Sequence, residues 1–392
     1  VRFGADELRD TPSAWAAWRR VGLVTNDAAR LAAEPTCRSR WALQQDGLPI
    51  VRLFGPEHGL GAAAADGASV QDGYDALTGL PVVSLYGERM RPSAEHLADL
   101  DAVLFDIPDV GARFYTYAWT LWHVLQACAE ARIPLVVLDR PNPLGGVIDS
   151  AEGPMLEPDC RSFIGESDIP IRHSVTYGEL ARLWQRERAP SLSLEVIPCR
   201  GWDRSRAWSA TGCVWIPTSP AMPHAECAIW YPGTCLFEAT NISVARGTDA
   251  PFATIGAPWL DVERLKQAVQ VDGVALHPES FTPALGPHAG ELCSGIRLEL
   301  TAPDPAAFIA QQLRPVALGL QLLAQIARRH PQAFAWATYP TAANPSGADH
   351  FARLVGTRVL AASLVDPLAL RPTETATRAT EWAARVAPIL LY

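Results

Sequence analysis

The chain has 392 residues, of which 48% are apolar and 19% charged, with a formal net charge of −9. The length exceeds one ordinary core and sets an expectation of two domains, while the apolar content excludes a disordered chain. An acidic chain without a basic run has no clustered positive surface for phosphates, which excludes nucleic acid as a partner.

In chain order, short apolar strands alternate with helical stretches. VGLVT (21–25), IVRLF (50–54), PVVSLY (81–86), AVLFD (102–106) and PLVVLD (134–139) are near-continuously hydrophobic, as strands covered on both faces of a parallel sheet must be. Between the last two, apolar positions 118, 121, 122, 125, 128 and 129 follow helical spacing, which makes a crossover helix of a βαβ unit. A further helix is predicted over 176–188 and a strand over 193–197. Residues 1–205 therefore read as a doubly wound α/β domain. Beyond Gly201 the proline-rich WIPTSPAMPHAE interrupts regular structure. Helical patterns return at 261–270 and at 304–330, broken by Pro315, with a last helix expected near 374–388. Residues 206–392 are thus expected to form a smaller α+β auxiliary domain.

The eight cysteines (37, 128, 160, 199, 213, 227, 235, 293) include no CxxC and no Cys/His zinc spacing. They are expected mostly as small buried residues, with disulfides left open. VALGLQLLAQIA, the longest apolar stretch, is too short and too polar for membrane insertion. The opening VRFGADELRD has neither a basic n-region nor an apolar h-region. The chain is expected either to stay in the cytoplasm or to have lost a leader before residue 1.

Each of the five strands runs into polar residues at its C-terminal end: Asn26; Glu57-His58; Tyr86 with Glu88; Asp106 and Asp109; and Asp139-Arg140-Pro141-Asn142. In an open parallel sheet those ends share one edge, where ligands bind. Acids gathered there raise one another's pKa, so one can stay protonated as a general acid while another stabilises an oxocarbenium-like centre, which is glycosidase chemistry. Glu57, on the sharp turn GPEHG, is the candidate acid. His58 either orients it or bonds a sugar hydroxyl. Arg113 either keeps Asp106 and Asp109 ionised or clamps an anionic substrate. Tyr115 and Tyr117 offer ring faces to a sugar or belong to the core. Asn26, Tyr86, Asp139, Arg140 and Asn142 complete the expected substrate-binding rim. No HExxH, HxH or DxDxDG spacing supports a metal, and no GxGxxG or GxxxxGK[ST] supports a nucleotide cofactor; no cofactor is expected. A metal-dependent amidase or esterase using these acids remains an alternative.

LFGPEHGLG, TGLPVVSLYG, FDIPDVGARFYTY, VLDRPNPLGG, the Glu152-Gly153-Pro154 step, SFIGESDIPIRHSVTYGELA, WIPTSPAMP, YPGTCLFEATNISVARGTDAPF and IGAPW occur in that order. Together they resemble the NamZ-type exo-β-N-acetylmuramidases of bacterial cell-wall recycling. The resemblance implies a Rossmann-like domain, a smaller C-terminal domain and an active cleft between them. It implies release of N-acetylmuramic acid from the non-reducing ends of peptidoglycan fragments, with a muramyl saccharide or muropeptide as partner and the PEHG glutamate, Glu57, as catalytic residue. Glu238, Asn241 and Arg246 fall in the strongest motif of the second domain and are expected at the cleft. Arg113, Arg140 or Arg246 would meet the substrate's lactyl carboxylate. Three positions depart from the family pattern: Pro108 for Gln, Ala221 for Asn and Val244 for Glu. The replacements at 221 and 244 keep open a non-catalytic binder of cell-wall sugars.

Overall fold

Strands that are apolar on both faces need cover on both sides, and the first half of the chain supplies it. The computed structural model describes residues 1–360, 377 and 379–392. Its first part runs α1 (Gly4–Arg9), β1 (Val21–Thr25), α2 (Ser39–Gln45), β2 (Ile50–Gly55), β3 (Gly73–Tyr74), β4 (Pro81–Ser84), α3 (Ala94–Leu97), β5 (Ala102–Asp106), α4 (Tyr117–Ala131), β6 (Leu135–Leu138), α5 (Tyr177–Arg188) and β7 (Leu194–Ile197). The sheet order is β3-β4-β2-β1-β5-β6-β7, parallel except for β3. Every residue of β1, β5 and β6 is buried, as the unbroken apolar runs require. Thr25 pairs with Asp106 and Gly55 with Ser84, so the strand ends are level along one edge. The strand expected to reach residue 86 stops at Ser84, whose hydroxyl bonds the Tyr86 amide and carbonyl and turns the chain.

The second part contains α6 (Ala225–Thr234), β8 (Thr254–Ala257), α7 (Val262–Ala268), β9 (Val274–Phe281), β10 (Cys293–Leu300), α8 (Pro305–Gln311), α9 (Pro315–Arg329), α10 (His350–Val355) and α11 (Trp382–Val386). Its sheet is antiparallel, in the order β8-β10-β9. Pro315 starts α9 as its first residue, where the missing N–H costs nothing, and so separates α8 from α9. Sequence reading missed β3, β8, β9 and β10; of these, β9 carries Pro278 on a largely solvent-facing strand and so lacks the apolar signal. The tail helix appears only as α11; residues 374–376 and 378 of that expectation lie outside the described residues. All eight cysteines are free. Among the described residues no helix is long and apolar enough to cross a membrane.

Helices α6 and α9 meet at two glycines. A Cβ on Gly233 would lie 1.9 Å from the Pro315 carbonyl oxygen, and one on Gly319 would lie 2.3 Å from that of Gly233. Only glycine permits this backbone contact. Three buried ionic side chains of the first part also close helix ends of the second. Glu152 accepts the Val316 and Ala317 amides (3.1 and 3.0 Å) at the start of α9. Arg172 donates to the carbonyls of Ile309 and Leu313 (both 2.7 Å), at and just past the end of α8, and to Leu144 (2.9 Å). Arg113 donates to Leu354 in the last turn of α10 (2.8 Å), and to Pro154 and Ile169. Free helix-end amides and carbonyls must find partners when buried, and the helix dipole favours an anion at the start and a cation at the end.

Truncating one of these side chains strands several buried backbone groups, carbonyls in the case of Arg172. Arg172→Met should therefore cost about 3–5 kcal/mol in denaturant unfolding. Arg206→Ala, which breaks only the exposed pair with Asp304, should cost about 1 kcal/mol or less.

Candidate active site

A cleft of about 650 Å³ opens beyond the ends of β2 and β4, closed on its far side by residues of the second part. Glu57 enters it from a turn closed by the Gly59 amide on the Pro56 carbonyl (2.9 Å). His58 takes a left-handed φ of 64° in that turn, a conformation histidine tolerates better than bulkier residues. The Glu57 carboxyl is buried and fixed at both oxygens. Oε1 accepts the Gly67 amide (3.0 Å) and Oε2 accepts the Thr116 hydroxyl (2.5 Å) at the start of α4. His58 Nδ1 lies 2.8 Å from the Ala64 carbonyl. A carbonyl can only accept, so Nδ1 carries a proton.

Asp66 follows on the same loop. It keeps 35% of its side chain exposed to the cleft and lies 3.5 Å from Arg246 Nη2, while the Tyr339 hydroxyl donates to it. One polar atom each from Glu57, His58 and Asp66 lies within 4.8 Å of the other two, a spacing at which the trio could also hold a cation. The two acids are pushed in opposite directions. Burial first, and then the Asp66 charge, hold the Glu57 carboxyl above its usual range against the pull of His58, Thr116 and Gly67. Burial would raise Asp66 too, but Arg246, Tyr339 and His58 outweigh it and keep it below the usual range. Two neighbouring carboxyls are thus displaced in opposite directions, an arrangement that suits a proton donor beside an ionised carboxylate.

Glu238, from the 3-10 turn Cys235–Ala239, accepts Arg246 Nε at 2.5 Å. Burial raises its pKa against the pull of Arg246. His350 stacks on Tyr339 with ring centres 4.7 Å apart, and burial pushes it down to about 4, so it is neutral at physiological pH. Tyr86, Tyr115, Phe163 and Tyr231 supply ring surface to the walls.

Of the residues expected from sequence, Glu57, His58, Tyr86, Tyr115, Glu238 and Arg246 line this cleft. The structure does not bring the others to it. Asp106 is fully buried between Arg140 Nε (2.6 Å) and the Ser39 hydroxyl. Asp109 faces His173 at 3.3 Å. Arg113 meets only carbonyl oxygens and is pushed down to about 9 by burial; it neither reaches the Asp106/Asp109 pair nor faces the cleft. Tyr117 donates to the Thr218 carbonyl (2.7 Å) behind Tyr115. Asp139 accepts Thr176, Gly178 and Tyr392, and burial pushes it up to about 6. Asn142 bonds Val175 and Leu144, Asn26 caps the Ala28 amide, and Asn241 ties the Ala333 carbonyl to the Ala335 amide. The expected single rim is in fact two crevices. The second, near the ends of β1, β5 and β6, is lined by Arg30, Pro108, Asp109, Arg140, Trp208 and Trp215. Thr218, held by the hydroxyl of Tyr115 (2.6 Å), lines the second crevice, and Ser219 lines the first.

Sequence reading missed Asp66, Thr116, Tyr339 and His350. Asp66 had one local signal, a lone acid in the alanine-glycine loop GAAAADGAS; the other three had none. Of the departures, Ala221 lines the cleft and Pro108 the second crevice, while Val244 is buried in the core.

The family description "Exo-beta-N-acetylmuramidase NamZ, N-terminal" matches residues 21–226, and its C-terminal counterpart matches 229–392. The peptidoglycan beta-N-acetylmuramidase NamZ of Bacillus subtilis (strain 168) is 38% identical over 339 residues, covering 85% of this chain and 79% of that protein. Two crystal structures of DUF1343 family proteins from Bacteroides fragilis NCTC 9343 superpose over the full chain and 98% of their own. One has a TM-score of 0.85 at 26% identity, the other 0.74 at 25%.

The opposed shifts make opposite mutational predictions. Asp66→Asn removes the charge that raises Glu57, so the Glu57 titration read by carboxyl NMR should move to lower pH. Thr116→Val removes a hydrogen bond to the ionised form, so the titration should move to higher pH.

Proposed function

The chain belongs to the exo-β-N-acetylmuramidase NamZ family, and from that premise we propose that Glu57 is its general acid and Asp66 the ionised carboxylate beside it. The protein is an exo-acting glycosidase that releases N-acetylmuramic acid from the non-reducing ends of peptidoglycan fragments. The observation that carries the assignment of residues is the Glu57–Asp66 pair, close together and displaced in opposite directions.

Glu57 protonates the glycosidic oxygen as the bond to C1 breaks, and positive charge grows on the sugar ring facing Asp66. Thr116 and the Gly67 amide hold the carboxyl in place and then stabilise the carboxylate it becomes. Inverting enzymes keep their carboxyls about 6.5–9.5 Å apart to admit a water between acid and base, whereas retaining enzymes hold them at about 5–5.5 Å. The spacing here is on the short side and supports net retention. Asp66 is already committed to Tyr339 and Arg246. Those contacts weaken it as a nucleophile and suit it to orienting the N–H of the substrate's acetamido group, whose oxygen then attacks C1. Tyr115 and Tyr231 flank the ring. We keep the two-part division at 205/206, with the first part supplying Glu57 and Asp66 and the second supplying Glu238, Arg246, Tyr339 and His350.

Glu57→Gln should lower kcat on a chromogenic N-acetyl-β-muraminide by about 10²–10⁴-fold with an unchanged circular dichroism spectrum; full activity would remove Glu57 from the role. The rate should fall as pH rises through the raised Glu57 pKa, because the acid form is then lost. NMR of the first-formed sugar should show the β anomer; the α anomer would mean inversion. EDTA should leave the rate unchanged, whereas abolition by EDTA would favour metal-assisted hydrolysis at the same trio.

A further inference from the structure

Three arginines stand as candidates for the lactyl carboxylate, and the fold consumes two of them. Arg113 is saturated by carbonyls, and Arg140 is spent on Asp106 and the Arg30 carbonyl. Arg246 is different. Among the described residues lining the cleft it is the single arginine or lysine; the other bases are His58 and the neutral His350. Its guanidinium lies 5.1 Å from the centre of the Phe252 ring, which fixes its plane. The contact to Glu238 is short at 2.5 Å, and the contact to Asp66 is long at 3.5 Å. Asp66 has a second donor in Tyr339, so it can leave the guanidinium without being stranded.

We propose that Arg246 determines specificity by binding the lactyl carboxylate of the N-acetylmuramyl ring, which takes the place of Asp66 on the guanidinium. The inference rests on the glycosidase reading above and names the group that recognises its substrate. An anionic sugar entering the cleft meets the Asp66 carboxylate; without a cation to receive it, like-charge repulsion would oppose binding. The exchange is carboxylate for carboxylate, so the guanidinium keeps its charge-assisted hydrogen bonds and no buried charge is left bare. Asp66, released but still held by Tyr339, becomes free to accept the acetamido N–H. Binding of the lactyl group and orientation of the reacting amide are thereby coupled. A sugar without the lactyl acid cannot displace Asp66, so it should lose turnover as well as affinity.

The test compares three chromogenic substrates: N-acetyl-β-muraminide, its lactyl methyl ester, and N-acetyl-β-glucosaminide. Wild-type protein should favour the free acid over the ester by about 10–100-fold in kcat/KM, the range of a charged hydrogen bond, with part of the loss in kcat. The double variant Arg246→Met/Glu238→Gln removes both charges and leaves no unpaired buried acid; its acid-to-ester ratio should fall close to one. Arg246→Lys, which keeps charge but loses the planar fork, should give an intermediate ratio. Equal hydrolysis of acid and ester by the wild type would overturn the inference and leave the glycosidase reading intact. Persistence of the acid preference in the double variant would overturn it as well. Absence of hydrolysis on all three substrates would instead strike the glycosidase reading. If the double variant does not fold, the wild-type and Arg246→Lys ratios decide.

Discussion

Charged side chains buried between the two parts of the chain hold the site together. Glu152 at the start of α9, Arg172 at the end of α8 and Arg113 at the end of α10 each satisfy helix-terminal groups that would otherwise be buried without partners. Each such group left bare costs free energy of the order of the hydrogen bond itself. The two parts therefore cannot separate at this seam without exposing or stranding several groups at once. The glycine contact between α6 and α9 stiffens the second part from within. Cleft residues that start far apart in sequence owe their positions to this seam.

The cleft uses that rigidity to make two carboxyls unlike. Glu57 and Asp66 sit on one loop, yet only Asp66 is reached by Arg246 and Tyr339 from across the seam. A cation and a phenol from the second part thus hold one acid below its usual range, and the charge of that acid helps hold its neighbour above it. The loop is bound on both sides. The Gly67 amide donates to Glu57, and the Gly67 carbonyl accepts the Ala342 amide (3.0 Å). The acid's position and its pKa thus depend on the same contact between the two parts.

Similar residue types at the neighbouring strand ends are put to a different use. Asp106, Asp139, Arg140 and Asn142 sit at the same edge as Glu57, but their partners are other groups of the fold: Ser39, Thr176, Tyr392 and Val175. They brace the loops after β5 and β6. A motif can therefore be dense in ionisable residues because its backbone needs them, and Arg113 is the plainest case.

The sequence by itself determined the six parallel strands of the first sheet, the helices α4, α5, α7, α8 and α9, the family, and Glu57 as a candidate acid on a glycine-framed turn. Those features follow from hydrophobic periodicity, proline and glycine placement and contiguous motifs, all encoded within a few neighbouring residues. Tertiary structure alone decided which acids share a cleft. Level strand ends place ten polar or charged candidates on one edge, but the Thr218–Ser219 segment, pinned by Tyr115 and Tyr117, divides that edge in two. Asp66, Tyr339 and His350 join Glu57 only because long-range packing brings them there, and no local pattern records a contact between residues so distant along the chain.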